Sequence, residues 1–142
     1  MSDSSSAVEE ILDGETIIAI VVRASFSEPG AHFFSESHFS QQLGVITYPA
    51  GHVIIPHVHN RVPREVMYTQ ETLIIREGTC RVDLYRDDRT FLTSRDLRKG
   101  DVILLSTGGH GFSITEDCSM IEVKQGPYAG DGDKTRFEDT RP

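Results

Sequence analysis

The sequence predicts an all-β, single-domain fold, and three observations carry that prediction. Short runs rich in Val, Ile, Leu, Thr and Phe recur along the chain. Gly, Pro and Asp turn signals separate them, and no long segment keeps the 3.6-residue apolar period of a helix. Many short strands at such a cadence build a sandwich or a barrel. At 142 residues the chain is long enough to bury one hydrophobic core.

Taken in order, residues 1–14 read as an N-terminal tail with one short helical turn over Ala7-Val8-Glu9-Glu10-Ile11-Leu12. Strand-like runs follow at 16–24, 43–49, 52–57, 69–77, 79–86, 90–92, 101–106, 110–115 and 119–125, so the barrel spans residues 15–126. The breaks between them are Glu28-Pro29-Gly30, Pro49-Ala50-Gly51, Glu77-Gly78, Asp87-Asp88, Lys99-Gly100 and Thr107-Gly108-Gly109. Residues 127–142, Gly- and Asp-rich, form a C-terminal loop or tail packing on the barrel. The run Ile17-Ile18-Ala19-Ile20-Val21-Val22 is apolar on both faces. Such a strand at a sheet edge invites pairing with another chain, which predicts a homodimer; covered within its own barrel, it would not.

Composition narrows the function classes. Net charge is −8, from 14 Lys and Arg against 22 Asp and Glu, and an acidic surface repels phosphate backbones, which argues against nucleic acid. A local Arg or Lys pocket can still hold an anionic small molecule. No apolar run approaches the roughly 18–20 residues of a membrane helix. The polar start, Met1 to Ser6, has no basic segment followed by an apolar core, so the expected location is cytoplasmic. Cys80 and Cys118 lack a CxxC spacing and are expected to be free thiols.

The chemistry lies in three segments: Gly51-His52-Val53-Ile54-Ile55-Pro56-His57-Val58-His59, Glu71-Thr72-Leu73-Ile74-Ile75-Arg76-Glu77-Gly78, and Gly100 through His110. Strand side chains alternate faces, so His57 and His59 point the same way. Glu71 shares its face with Leu73 and Ile75, and His110 shares its face with Phe112 and Ile114. A carboxylate turned toward an apolar interior is costly unless it is paired or coordinating. Converged, His57, His59, Glu71 and His110 make one site for a divalent ion, with Fe(II), Mn(II), Ni(II) or Zn(II) all suited to three imidazoles and a carboxylate. Glu65 is the rival carboxylate, set in an irregular insertion.

These segments resemble the two signature motifs of the cupin superfamily, over about residues 43–115. The resemblance implies a double-stranded β-helix, or jelly-roll barrel, usually dimeric, with a metal held at the positions of His57, His59, Glu71 and His110. The chain departs from the usual pattern in three places. Eleven residues separate His59 from Glu71, more than is common; Ser106 stands where Pro is frequent, one residue short before His110; and no Asn follows that histidine. The stretch from Ile121 to Tyr128, with Thr69-Gln70-Glu71, looks like small stand-alone cupins associated with sugar and polysaccharide metabolism.

Around the metal set, Arg61 and Arg64 lie in the insertion after His59. They suit an anionic substrate at the barrel mouth or, alternatively, a solvated loop paired with Glu65. Alternation in the last strand places Ile121 and Val123 inside and Met120, Glu122 and Lys124 outside. Turned inward, Glu122 and Lys124 would be an acid/base pair beside the metal. Tyr128 and Gln125 are placed near the pocket by position alone, and His32, His38 and His52 have no partner pattern. The first functional reading is a metal-dependent, isomerase- or epimerase-like enzyme on a small carbohydrate-like or oxo-acid substrate. The others are a non-haem Fe(II) dioxygenase and a non-catalytic small-molecule binding module with an organising metal.

Overall fold

A computed structural model describes residues 6–139 and 141. Among the described residues ten strands form: β1 (Val8–Asp13), β2 (Thr16–Val22), β3 (Gly30–Phe33), β4 (Gly44–Thr47), β5 (Glu71–Glu77), β6 (Thr79–Tyr85), β7 (Phe91–Arg98), β8 (Val102–Leu105), β9 (Gly109–Ile114) and β10 (Ser119–Lys124). One 3-10 turn follows at Gly130–Asp133. All pairings are antiparallel, in a five-stranded sheet ordered β1-β2-β8-β5-β10, a three-stranded sheet β7-β6-β9 and a hairpin β3-β4.

The core follows from the pleat. Ile11, Ala19, Val21, Leu73, Ile75, Ile103 and Leu105 of the larger sheet meet Cys80, Val82, Leu84 and Leu97 of the smaller one in a single buried cluster. The other face of β2 and β8 carries Ile17, Ile20, Val22 and Leu104, which pack against Phe26, Phe34, Phe39, Leu43 and Val45 from the β3–β4 region. This corrects the expectation of an exposed edge: β2 lies between β1 and β8 and is apolar on both faces because both are covered. The homodimer argument drawn from that strand therefore falls.

Three other expectations change. The helical turn over residues 7–12 is instead β1, so residues 8–13 belong to the sheet rather than to a tail. Ile11 pairs with Ala19, and the edge that β2 offers outweighs a weak local helix preference. The short run at 90–92 extends to Arg98, because the polar residues Thr93 to Asp96 pair with β6. The strand foreseen at 52–57 does not form: residues 52–67 have no regular secondary structure, and residues 46–68 are all exposed.

Two turns explain their glycines. Gly78, between β5 and β6, has φ +76°, and a Cβ there would stand 1.9 Å from the Asp117 carbonyl oxygen. Gly108, before β9, has φ +74° and would press on the Tyr85 carbonyl. Asp101, after Gly100, accepts hydrogen bonds from the Ala24 and Arg98 amides and from Arg23, tying the start of β8 to the end of β2. The C-terminal segment lies on the smaller sheet. Phe137 packs edge-on to Tyr85 at 5.0 Å, and Arg141 stacks over Phe91 at 4.4 Å. Both cysteines are free, and burial pushes the Cys80 thiol up to about 11.

Candidate metal and substrate site

Glu71 opens β5 in the larger sheet, and His110 is the second residue of β9 in the smaller one. Across the gap between the sheets, His110 Nε2 stands 3.3 Å from Glu71 Oε2. The His110 imidazole beside Glu71 holds its carboxyl below the usual carboxylate range, against the opposing effect of burial. Register explains the meeting. Opposite residues of an antiparallel pair share a face, and Glu71 is opposite Leu105 and Lys124 while His110 is opposite Leu84. Leu105 and Leu84 are core, so both ligand candidates point inward, as their parity predicted.

The same register overturns the expected facing of β10. Glu122 is opposite Leu73 and Met120 is opposite Ile75, so Met120, Glu122 and Lys124 take the inner face. Met120 packs on the core, Glu122 lines the same cavity as Glu71, and Ile121 and Val123 are 44% and 52% exposed. Alternation alone could not choose the face, because both sets alternate. The pairing with β5 decides it.

Glu71, His110 and Glu122 line a cavity of about 950 Å³, with Leu73, Phe112 and Met120 at its apolar base. Its lining also holds Arg86, Arg89, Lys134 and Arg136, cations that no motif spacing marks because they come from the turn after β6 and from the C-terminal segment. Asp133, which accepts from the Thr69 hydroxyl, anchors that segment beside β5. A second cavity of about 540 Å³ takes Glu65, Val66, Met67 and Tyr68 on its wall, which separates Glu65 from the Glu71 site.

The structure does not bring all the predicted residues together. His57 and His59 neighbour each other, ring centroids 5.3 Å apart, on the exposed segment. The His57 Nδ1 contacts the Ile55 carbonyl oxygen at 2.9 Å. Neither histidine lines either cavity. Among the described residues no group of three or more His, Cys, Asp or Glu is gathered to hold a metal ion. The donor chemistry suits a divalent ion, but within one chain it is divided into two pairs. Arg61 and Arg64 are exposed on the same segment, and Tyr128 is 87% exposed outside the cavity. No family model, characterised protein or solved structure matches the chain. Among the described residues no helix is long and apolar enough to cross a membrane.

Proposed function

We propose that this chain is a metal-dependent enzyme of cupin type, acting in the β5–β9–β10 cavity on a small polar substrate, carbohydrate-like or an oxo acid. The observation that carries the reading is the Glu71–His110 pair, 3.3 Å apart on the wall of the larger cavity. Strand order supports a jelly roll: β5, β8 and β10 belong to one sheet, while β6, β7 and β9 belong to the other, so the chain crosses repeatedly between the two.

The ligands are Glu71, His110, His57 and His59, and an ion bound there would polarise a substrate carbonyl as a Lewis acid. The remaining roles fall to side chains on the wall. Glu122, beside Glu71, is placed to take or give a proton at a carbon next to that carbonyl. Lys134 and Arg136 at the rim suit a substrate carboxylate. The apolar base of Leu73, Phe112 and Met120 excludes water from the reacting end.

Elemental analysis of protein purified without chelator tests this reading. The expected result is one divalent ion per chain, lost in Glu71→Gln, since removing a ligand costs more than the 10- to 100-fold that loss of a ligand's own support costs. A thermal-shift series of oxo acids and sugars should raise the midpoint of the wild type and not that of Glu71→Gln. Wild type that retains no metal and responds to none of these compounds overturns the proposal.

A further inference from the structure

The C-terminal segment builds one wall of the larger cavity, and it lies outside the span of the cupin-like motifs. Two anchors hold it there. Asp133 accepts from the Thr69 hydroxyl. Phe137 packs on Tyr85 and fills the space beside Gly109, where a Cβ would stand 2.8 Å from its ring. Between the anchors, Lys134, Thr135 and Arg136 all line the cavity. The backbone at Lys134 is extended, with φ −142° and ψ 155°. Alternate residues of an extended chain face the same way, so Lys134 and Arg136 present two cations to one space.

Among the described residues no carboxylate oxygen comes within 4.0 Å of the Lys134 amine or the Arg136 guanidinium. Arg86, on the same wall, is held instead by Asp13 at 3.1 Å. Of the carboxylates lining the cavity, Glu71 faces His110 and Asp133 takes the Thr69 hydroxyl. A chain of net charge −8 has acidic side chains in excess, so two cations left without one in a cavity point to an anion from outside.

A third cation carries a backbone cost. Arg89 lies in the β6–β7 turn, where its amide donates to the Arg86 carbonyl and the Arg86 amide donates to the Thr90 carbonyl. Its φ is +72°, a left-handed conformation that suits glycine, and among the described residues it alone of the non-glycine residues has a positive φ. Its guanidinium lies over the Phe137 ring, 5.8 Å from the centroid, and it lines the cavity. A long basic side chain kept where glycine would be less strained marks a functional constraint.

We propose that the substrate of this cavity carries an anionic head, a carboxylate or a phosphate, gripped by Arg89, Lys134 and Arg136. The C-terminal segment and the β6–β7 turn then decide what the site accepts: oxo acids, sugar acids or sugar phosphates, and not neutral sugars. The inference rests on the cavity being the substrate site and names the class of substrate it takes.

Three compounds on one carbon skeleton test it: glucose, gluconate with its carboxylate, and glucose 6-phosphate. Titration calorimetry on the full chain should show at least one of the two anions bound at least about ten-fold more tightly than glucose, and the comparison tells carboxylate from phosphate. In Lys134→Gln/Arg136→Gln the preference should fall to about one. The control Arg76→Gln/Lys99→Gln removes two exposed cations outside the cavity and should keep it. All four positions are exposed, so circular dichroism should be unchanged in both variants. Wild type that binds glucose as tightly as either anion, or that binds neither anion, overturns the inference. A Lys134→Gln/Arg136→Gln protein that keeps the preference overturns the assignment to those residues. The metal reading fails on a different measurement, the elemental analysis, so the two failures are distinguishable. Arg89→Gly separates grip from fold: glycine takes φ +72° without strain, so the thermal midpoint should not fall while the anion preference drops. A lower midpoint with the preference intact overturns the part given to Arg89.

Discussion

Asp83, on β6, is the most heavily supported carboxylate of the smaller sheet. Ser94 donates to it at 2.6 Å, Arg81 at 3.0 Å and Arg141 at 3.1 Å. Burial raises its pKa, and the hydrogen bonds from Ser94, Arg81 and Arg141 outweigh burial, so the carboxyl lies below its ordinary value. The linkage has a definite sign: a carboxyl lowered in the folded state stabilises above its unfolded pKa, and that stabilisation disappears as pH falls through the folded value. Asp83→Asn is therefore expected to cost about 1–3 kcal/mol near neutral pH, and the gap to wild type should narrow as pH falls through the lowered folded-state value of Asp83. Denaturant midpoints of both proteins across that range check it, and a gap independent of pH would refute the assignment to ionised Asp83. Arg141 brings the C-terminal segment into this network, which no spacing in the sequence announced.

At the scale of elements, the β5–Gly78–β6 turn joins the two sheets, and its geometry leaves no room for a side chain. Gly78→Ala combines a positive φ with a clash on the Asp117 carbonyl and should lower stability by at least about 2 kcal/mol. Gly111, where an added methyl meets nothing within 4 Å, is the control, and equal thermal midpoints for the two variants would contradict the argument. Apolar alternation marked β5, β6, β8, β9 and β10 within a few residues, because their inner faces fill one core and the period of two survives in the sequence. It missed β1, β3 and most of β7, short or polar strands held mainly by their partners' backbones. It also marked a strand at 52–57, where apolar character is present and a partner strand in the same chain is not. At the site, parity foresaw the inward facing of Glu71 and His110. The inward turn of Glu122 depended on cross-strand register, and the basic rim on a C-terminal return, neither of which spacing encodes.

For the whole molecule, the fold and the proposed metal donors are separable. The buried cluster draws on both sheets and includes none of His57, His59, Glu71 or His110, so the β structure is expected not to depend on an ion as a small zinc domain does. If the proposed ion binds, His59→Ala should lose it while leaving the circular dichroism unchanged and stability within about 0.5 kcal/mol; loss of the β signal would show a structural ion instead. The double-sided burial of β2 has a consequence for how the chain tolerates change. From Ile17 to Val22 every side chain is at most 6% exposed, so six consecutive codons have no neutral outlet: a polar replacement at any of them enters one of two cores. A random-substitution library selected for soluble protein should therefore be nearly blank across β2, not striped every second residue as on a strand with one wet face.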